Sequence, residues 1–167
     1  MARFVVVLPL LPLAAGDEFT VADWPLHVTL VEPFQTDLSA DDLARRLGRV
    51  DGIGDGAAAI RAAAGEEAMF GRRRDVPVTL VRDDGELAAL RARALEALGA
   101  AGVEPRARLD FRPHGTRKHH GQLRPGARVV LDTVALIDMR PPEGAHHRRV
   151  VAAWRLDSSP GAPGGRR

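Results

Sequence analysis

The stretch Leu26-His27-Val28-Thr29-Leu30 constrains the fold of this chain more than any other, because its strict alternation of apolar and polar residues fits a strand with one face on a core. Side chains on a strand alternate between faces, so His27 and Thr29 share a side while Leu26, Val28 and Leu30 anchor the other. The pattern has a partner far down the chain in Phe111-Arg112-Pro113-His114-Gly115-Thr116, where His114 and Thr116 are spaced identically. Brought together, two such strands offer two imidazoles and two hydroxyls to one ligand. That set suits attack at phosphorus, since an unperturbed imidazole titrates at about 6.5 and one ring can accept a proton while the other donates one.

Composition narrows the setting. At 167 residues with 45% apolar content, the chain can bury one sizeable core or two small, closely packed lobes. Its formal charge is only +2, so an overall basic field for nucleic acid is not indicated; the high pI reflects arginine, with Lys118 the only lysine. The absence of cysteine excludes a thiolate nucleophile, a thiolate metal site or a disulfide, and suits a reducing compartment. The opening Met1-Ala2-Arg3 followed by Phe4 to Ala15 imitates a signal peptide, but Pro9 and Pro12 ending an apolar run favour a first buried strand. No run approaches the ~20 apolar residues of a membrane span.

Along the chain, a strand is expected from Arg3 to Leu10 and a loop from Gly16 to Asp23. The first motif strand is expected to break over Val31 to Thr36. Ser39 then caps a helix whose buried face carries Leu43, Leu47 and Val50. Strands follow at Ala58–Ala64 and Val76–Val81, separated by a turn over Phe70–Asp75, with Pro77 suggesting an edge strand or the strand's first residues. Glu86–Leu98 is the clearest helix, with Leu87, Leu90, Ala94, Leu95 and Leu98 on one face and Gly99 and Gly102 to stop it. The second motif strand is expected from about Arg108 to Thr116, then a basic loop over 118–126, a long strand from Arg128 to Asp138 and a last one from Val150 to Leu156. Residues 157–167, rich in Gly, Pro and Ser, are expected to form a disordered tail behind a single domain spanning 1–156. The order has the look of a duplicated α+β unit, each half donating one His-x-Thr.

On these paired motifs the sequence resembles the two-histidine phosphoesterase superfamily, which includes the RNA 2′,3′-cyclic phosphodiesterases once called 2′-5′ RNA ligases. The likeness also covers the short apolar opening strand, the Pro33-Phe34 turn after the first motif and the strand-helix pair before the second. It implies a bilobal α+β fold in which antiparallel sheets of two pseudo-symmetric lobes form a central cleft with helices outside. It further implies a chemistry without metal or cofactor. A cyclic phosphodiester in RNA or a small nucleotide sits between the lobes, Thr29 and Thr116 donate to its nonbridging oxygens, and His27 and His114 exchange protons. We assign the base to His114 and the acid to His27. Arg72 to Arg74 follow Phe70 where the family often brings a loop over substrate, so Phe70 is a candidate for stacking on a base and Arg72 for holding phosphate. Arg112, Arg117, Lys118 and Arg124 surround the second motif, and Arg117 is the candidate among them for substrate contact.

One departure leaves a second reading open. Where the family has an apolar residue after the second Thr, this chain has Arg117-Lys118, with Gly115 as spacer, which leaves the face opposite His114 poorly supplied with core residues. The strand there is short, or lies at an edge, or belongs to a nucleotide- or RNA-binding module that has lost turnover. Blander readings dispose of the remaining signals. Gly52-Ile53-Gly54-Asp55-Gly56 follows a helix and is a connection rather than a dinucleotide site. Adjacent histidines on a strand point to opposite faces, so neither His119-His120 nor His146-His147 chelates a metal. Trp24 and Trp154 read as packing residues. The expected protein is a cytoplasmic monomer with no membrane partner.

Overall fold

The computed structural model describes residues 1–106 and 110–159. β1 (Ala2–Pro9) is apolar almost throughout because both of its faces are covered. Phe4, Val6 and Leu8 join the main core, while Val5 and Val7 join a smaller cluster on the opposite face with Trp24, Ala135, Ile137 and Val150. β2 (Glu18–Thr20) lies inside the segment expected to be a loop, where it pairs with residues 147–149.

β3 (His27–Thr36) carries the first motif and does not break after it. It continues through Pro33 because its register pairing with the second motif strand is at Val28, so beyond that point the flank away from β1 asks for no N–H. α1 (Ala40–Gly48) begins as expected, with the Ser39 hydroxyl accepting from the Asp42 amide at 3.1 Å and Asp41 and Asp42 against the positive end of the helix. β4 (Ile60–Phe70) runs six residues past its expected end, carried by pairing with β5 (Val76–Arg82), in which Pro77 is the second residue of a strand that is not at an edge. α2 (Glu86–Ala100) buries Leu87, Leu90, Ala94 and Leu98, with the Asp83 carboxylate accepting from the Leu87 amide at 2.7 Å.

The second motif strand, β6, spans only His114–Thr116. Of the longer strand expected from Arg108, Asp110 to Pro113 are irregular, and Arg108 lies outside the described residues. The expected long strand over 128–138 is two: β7 (Arg128–Leu131) pairs with β4, and β8 (Thr133–Asp138) pairs with β1, the chain crossing between them at Asp132. Residues on both sides of that break are strand formers, so propensity cannot mark it. β9 (His147–Arg155) begins three residues before its expected start. The folded chain also passes residue 156, since Asp157 bridges to Ala58 and the Ser158 carbonyl accepts from Arg61; the expected tail from 160 onward lies outside the described residues.

Among the described residues, nine strands form one antiparallel sheet in the order β2-β9-β8-β1-β3-β6-β5-β4-β7. Two halves meet where β3 lies beside β6, and each contributes its motif strand at that seam. α1 and α2 cover one face, burying Leu43, Leu47, Leu87, Leu90 and Leu98 against Phe4, Leu8 and Leu30 from one half and Ile60, Val81 and Leu131 from the other. The α+β class, the antiparallel pairing and the outer helices are therefore present. Among the described residues no helix is long and apolar enough to cross a membrane.

Candidate active site

β3 and β6 run antiparallel with Val28 opposite Gly115. That one register pair sets the site. By alternation, Val28 and Gly115 turn to the buried face, and His27, Thr29, His114 and Thr116 all turn to the other, His27 beside Thr116 and Thr29 beside His114. Side chains opposite one another in such a pair have Cβ atoms about 4.5–5.5 Å apart. The two motifs thus form a local two-fold arrangement in which each imidazole neighbours the other motif's hydroxyl.

Gly115 has a packing reason. A Cβ there would lie 2.7 Å from Leu123 Cδ1, so the missing side chain makes room for Leu123, whose carbonyl accepts from the buried Thr79 hydroxyl at 2.9 Å. The face opposite His114 is supplied by a residue from the following loop. The strand is short, as one of the expectations had it, but it is central in the sheet rather than at an edge.

The two imidazoles are held alike. His27 Nδ1 lies 2.8 Å from the Pro25 carbonyl and His114 Nδ1 lies 2.7 Å from the Arg112 carbonyl, in each case two residues back. A carbonyl only accepts, so Nδ1 carries the proton in both rings and Nε2 is left for chemistry. The surroundings differ. Trp24 stacks on His27 with ring centroids 4.8 Å apart, whereas Phe70 meets His114 edge-on at 4.6 Å. His27 keeps some accessible surface, yet the protein around it is dense enough that burial dominates. Burial pulls its pKa down to about 4; the Pro25 carbonyl opposes this, and the positive charges of Lys118 and His114 add to it. At neutral pH His27 is therefore an unprotonated acceptor.

A groove of about 580 Å³ opens beside the motifs, and its walls include Thr29, Glu32, Phe70, Arg72, Asp110 and His114. Arg74 also lines it from the turn between β4 and β5, in the left-handed region at φ 52, a conformation that non-glycine residues rarely hold. His27 and Thr116 stand on the same strands outside that lining. The Arg112 guanidinium lies 4.9 Å from the Phe70 ring centre. Arg117, one position past Thr116, is turned by alternation to the other side, and its Nε donates to Gln122 Oε1. The structure thus brings His114, Thr29, Phe70 and Arg72 to one groove, keeps His27 and Thr116 beside it, and does not bring Arg117 there.

Several residues shape the site in ways the sequence did not indicate. Trp24, read as a packing residue, forms one wall around His27, and Lys118 reaches over the same indole with Nζ 5.6 Å from its ring centre, where burial lowers the lysine pKa. Arg91 was hidden in the apolar stripe of α2. It is 4% exposed and donates through Nη1 to the Leu30 carbonyl and to Glu32 Oε2, both at 2.8 Å. His120 donates from Nε2 to the Trp24 carbonyl at 3.0 Å, and among the described residues no group of three His, Asp or Glu side chains converges as a metal site.

Comparison with known proteins gives a family and a fold. The pattern that describes the 2′-5′ RNA ligase superfamily matches residues 13–155. Among solved structures, Escherichia coli LigT complexed with 3′-AMP superposes with a TM-score of 0.59 at 17% identity, covering 93% of this chain and 98% of LigT. A structure described as a phosphoesterase gives 0.59 at 17% identity, covering 95% and 100%. The protein TT0787 of Thermus thermophilus gives 0.57 at 18% identity, covering 96% and 100%. At such identities these structures share the fold. No curated protein matches the sequence significantly.

Proposed function

Because the chain belongs to the 2′-5′ RNA ligase superfamily, we propose that it is a metal-independent phosphoesterase that opens a 2′,3′-cyclic phosphodiester, or cleaves a related 2′-5′ linkage, at an RNA end or in a small nucleotide. The observation that carries this reading is the antiparallel Val28–Gly115 pair, which sets two histidine-threonine couples side by side on one face of the sheet. The crystal structure of LigT with 3′-AMP, a nucleoside monophosphate, is consistent with a nucleotide in a groove of this fold.

In this mechanism His27 is the base. Its Nε2 takes a proton from water as the water oxygen attacks phosphorus, and burial favours the neutral ring that this step needs. His114, protonated on Nε2 and held through Nδ1 by the Arg112 carbonyl, gives its proton to the departing ribose oxygen as the P–O bond breaks. The products are a phosphomonoester and a free hydroxyl. Thr29 and Thr116 donate to the nonbridging oxygens, where preorganised donors act most strongly as charge builds. Arg72 in the groove wall supplies positive charge near the phosphate, and Phe70 a ring for the base. The reverse reaction uses the same groups with their roles exchanged.

A purified-protein assay with a nucleoside 2′,3′-cyclic phosphate in EDTA tests the reading. Turnover is expected with the chelator present, with His27→Ala and His114→Ala each losing about 10²–10⁴-fold. Turnover that requires added metal, or that survives either substitution, removes the proposal. Nucleotide binding without hydrolysis replaces it by the binding-module reading.

A further inference from the structure

β3 contains an irregularity whose effect is to change which side chains face the groove. Val7 pairs with Thr29, Val6 with Val31 and Phe4 with Phe34, so β3 uses extra residues against a regular β1. In an unbroken strand Glu32 would share the buried face with Val28 and Leu30. The bulges instead bury both Leu30 and Val31 and turn Glu32 out beside Thr29, and both line the groove. Bulges next to active sites commonly re-aim a side chain in this way.

The Glu32 carboxylate is also held. Arg91 reaches it from α2 and fixes Oε2, while its guanidinium lies 4.5 Å from the ring centre of Phe111, another groove residue. Among the described residues Oε1 has no hydrogen-bond partner, and the side chain is 27% exposed. The ion pair decides what class of ligand suits the remaining lone pairs. With Arg91 already balancing its charge, the carboxylate gains less from a cation than from neutral N–H donors placed edge-on between aromatic walls. Nucleobases differ in what they present. Guanine alone carries two adjacent donors, N1–H and the exocyclic N2–H, on one edge. Adenine and cytosine each offer an amino group next to an acceptor, and uracil a single N–H flanked by two carbonyls that would face the carboxylate. A groove of about 580 Å³ has room for a purine nucleotide.

We propose that Glu32 makes this groove selective for a guanine base, accepting from N1–H and N2–H while Phe70 and Phe111 line the walls beside it. The inference rests on the phosphoesterase reading for the position of the phosphate. The competing role for Glu32, a counter-ion for Arg91 and nothing more, predicts no preference among bases.

The test compares kcat/KM for the guanosine, adenosine, cytidine and uridine 2′,3′-cyclic phosphates. Guanosine is expected at least tenfold above uridine, with Glu32→Gln shrinking that ratio about tenfold because the amide nitrogen meets the base donors with a donor of its own. A loss of folded protein lowers all four substrates alike, so the ratio isolates recognition. Equal turnover of the four, or a ratio unchanged in Glu32→Gln, overturns the proposal and leaves the phosphoesterase reading intact. If no cyclic nucleotide is hydrolysed, that reading has failed, and titration with GMP and UMP decides base recognition separately: GMP binding no tighter than UMP overturns it.

Discussion

At the scale of single residues, two histidines with a threonine at the same spacing and the same Nδ1 tether meet different surroundings through the rings that pack on them. Trp24 covers His27 and adds to the burial that holds its pKa near 4, whereas His114 faces the groove edge-on to Phe70. The linkage has a definite sign. The unfolded ring binds a proton below about 6.5 and the folded ring only below about 4, so between those values the unfolded state holds more protons and stability falls as pH falls. The full difference is on the order of 3 kcal/mol, reached below pH 4 and absent above pH 6.5. Urea titrations across pH 4–7 are expected to show a shallower dependence on pH in His27→Gln than in the wild type; parallel curves would mean that His27 titrates normally. The same shift predicts that the acid limb of kcat/KM lies near pH 4, since that limb reports the base of the free enzyme.

Among the elements, β6 carries the most consequence for its size. It has three residues, and its spacer is a glycine, yet it joins the two halves of the sheet and carries one of the two motifs. What permits so short a strand is Leu123, which occupies the space a side chain at 115 would need. Gly115→Val is expected to overpack that contact and destabilise the fold by about 1–3 kcal/mol. Gly115→Val combined with Leu123→Ala should recover most of that loss in chemical denaturation. Additive losses in the double variant would show that the glycine answers some other demand. Gly115 looks like a defect in sequence because alternation identifies the face but not the residue, Leu123 in the following loop, that fills it.

At the scale of the molecule, the two halves share one helix-covered core, with Leu30 and Phe4 from one side and Val81 and Leu131 from the other in the same cluster. A fold whose two half-sheets share that core is therefore expected to unfold as a unit. Both tryptophans, Trp24 and Trp154, belong to the half built on β1, β8 and β9, while far-UV circular dichroism also samples α2 and the β4–β7 half. Denaturation curves from tryptophan fluorescence and circular dichroism are expected to coincide. Separated midpoints would mean that the seam, and not the core, sets cooperativity.

The amino-acid order by itself determined the features that depend on local periodicity and on repetition: the strand character of Val28 and its neighbours, the two helices with the Ser39 cap, the pairing of two His-x-Thr motifs and the family they point to. These were legible because alternation, capping and helical spacing act over a few residues. Tertiary structure alone decided the rest. Pairing with β1 and β4 divides 128–138 into two strands at Asp132, a bulge turns Glu32 toward the groove, Arg91 crosses from α2 to hold it, Leu123 fills the space at Gly115, and Trp24 helps to keep His27 unprotonated. Each of these depends on groups distant in sequence meeting in space, where burial and strand register, rather than local preference, determine which atom faces which.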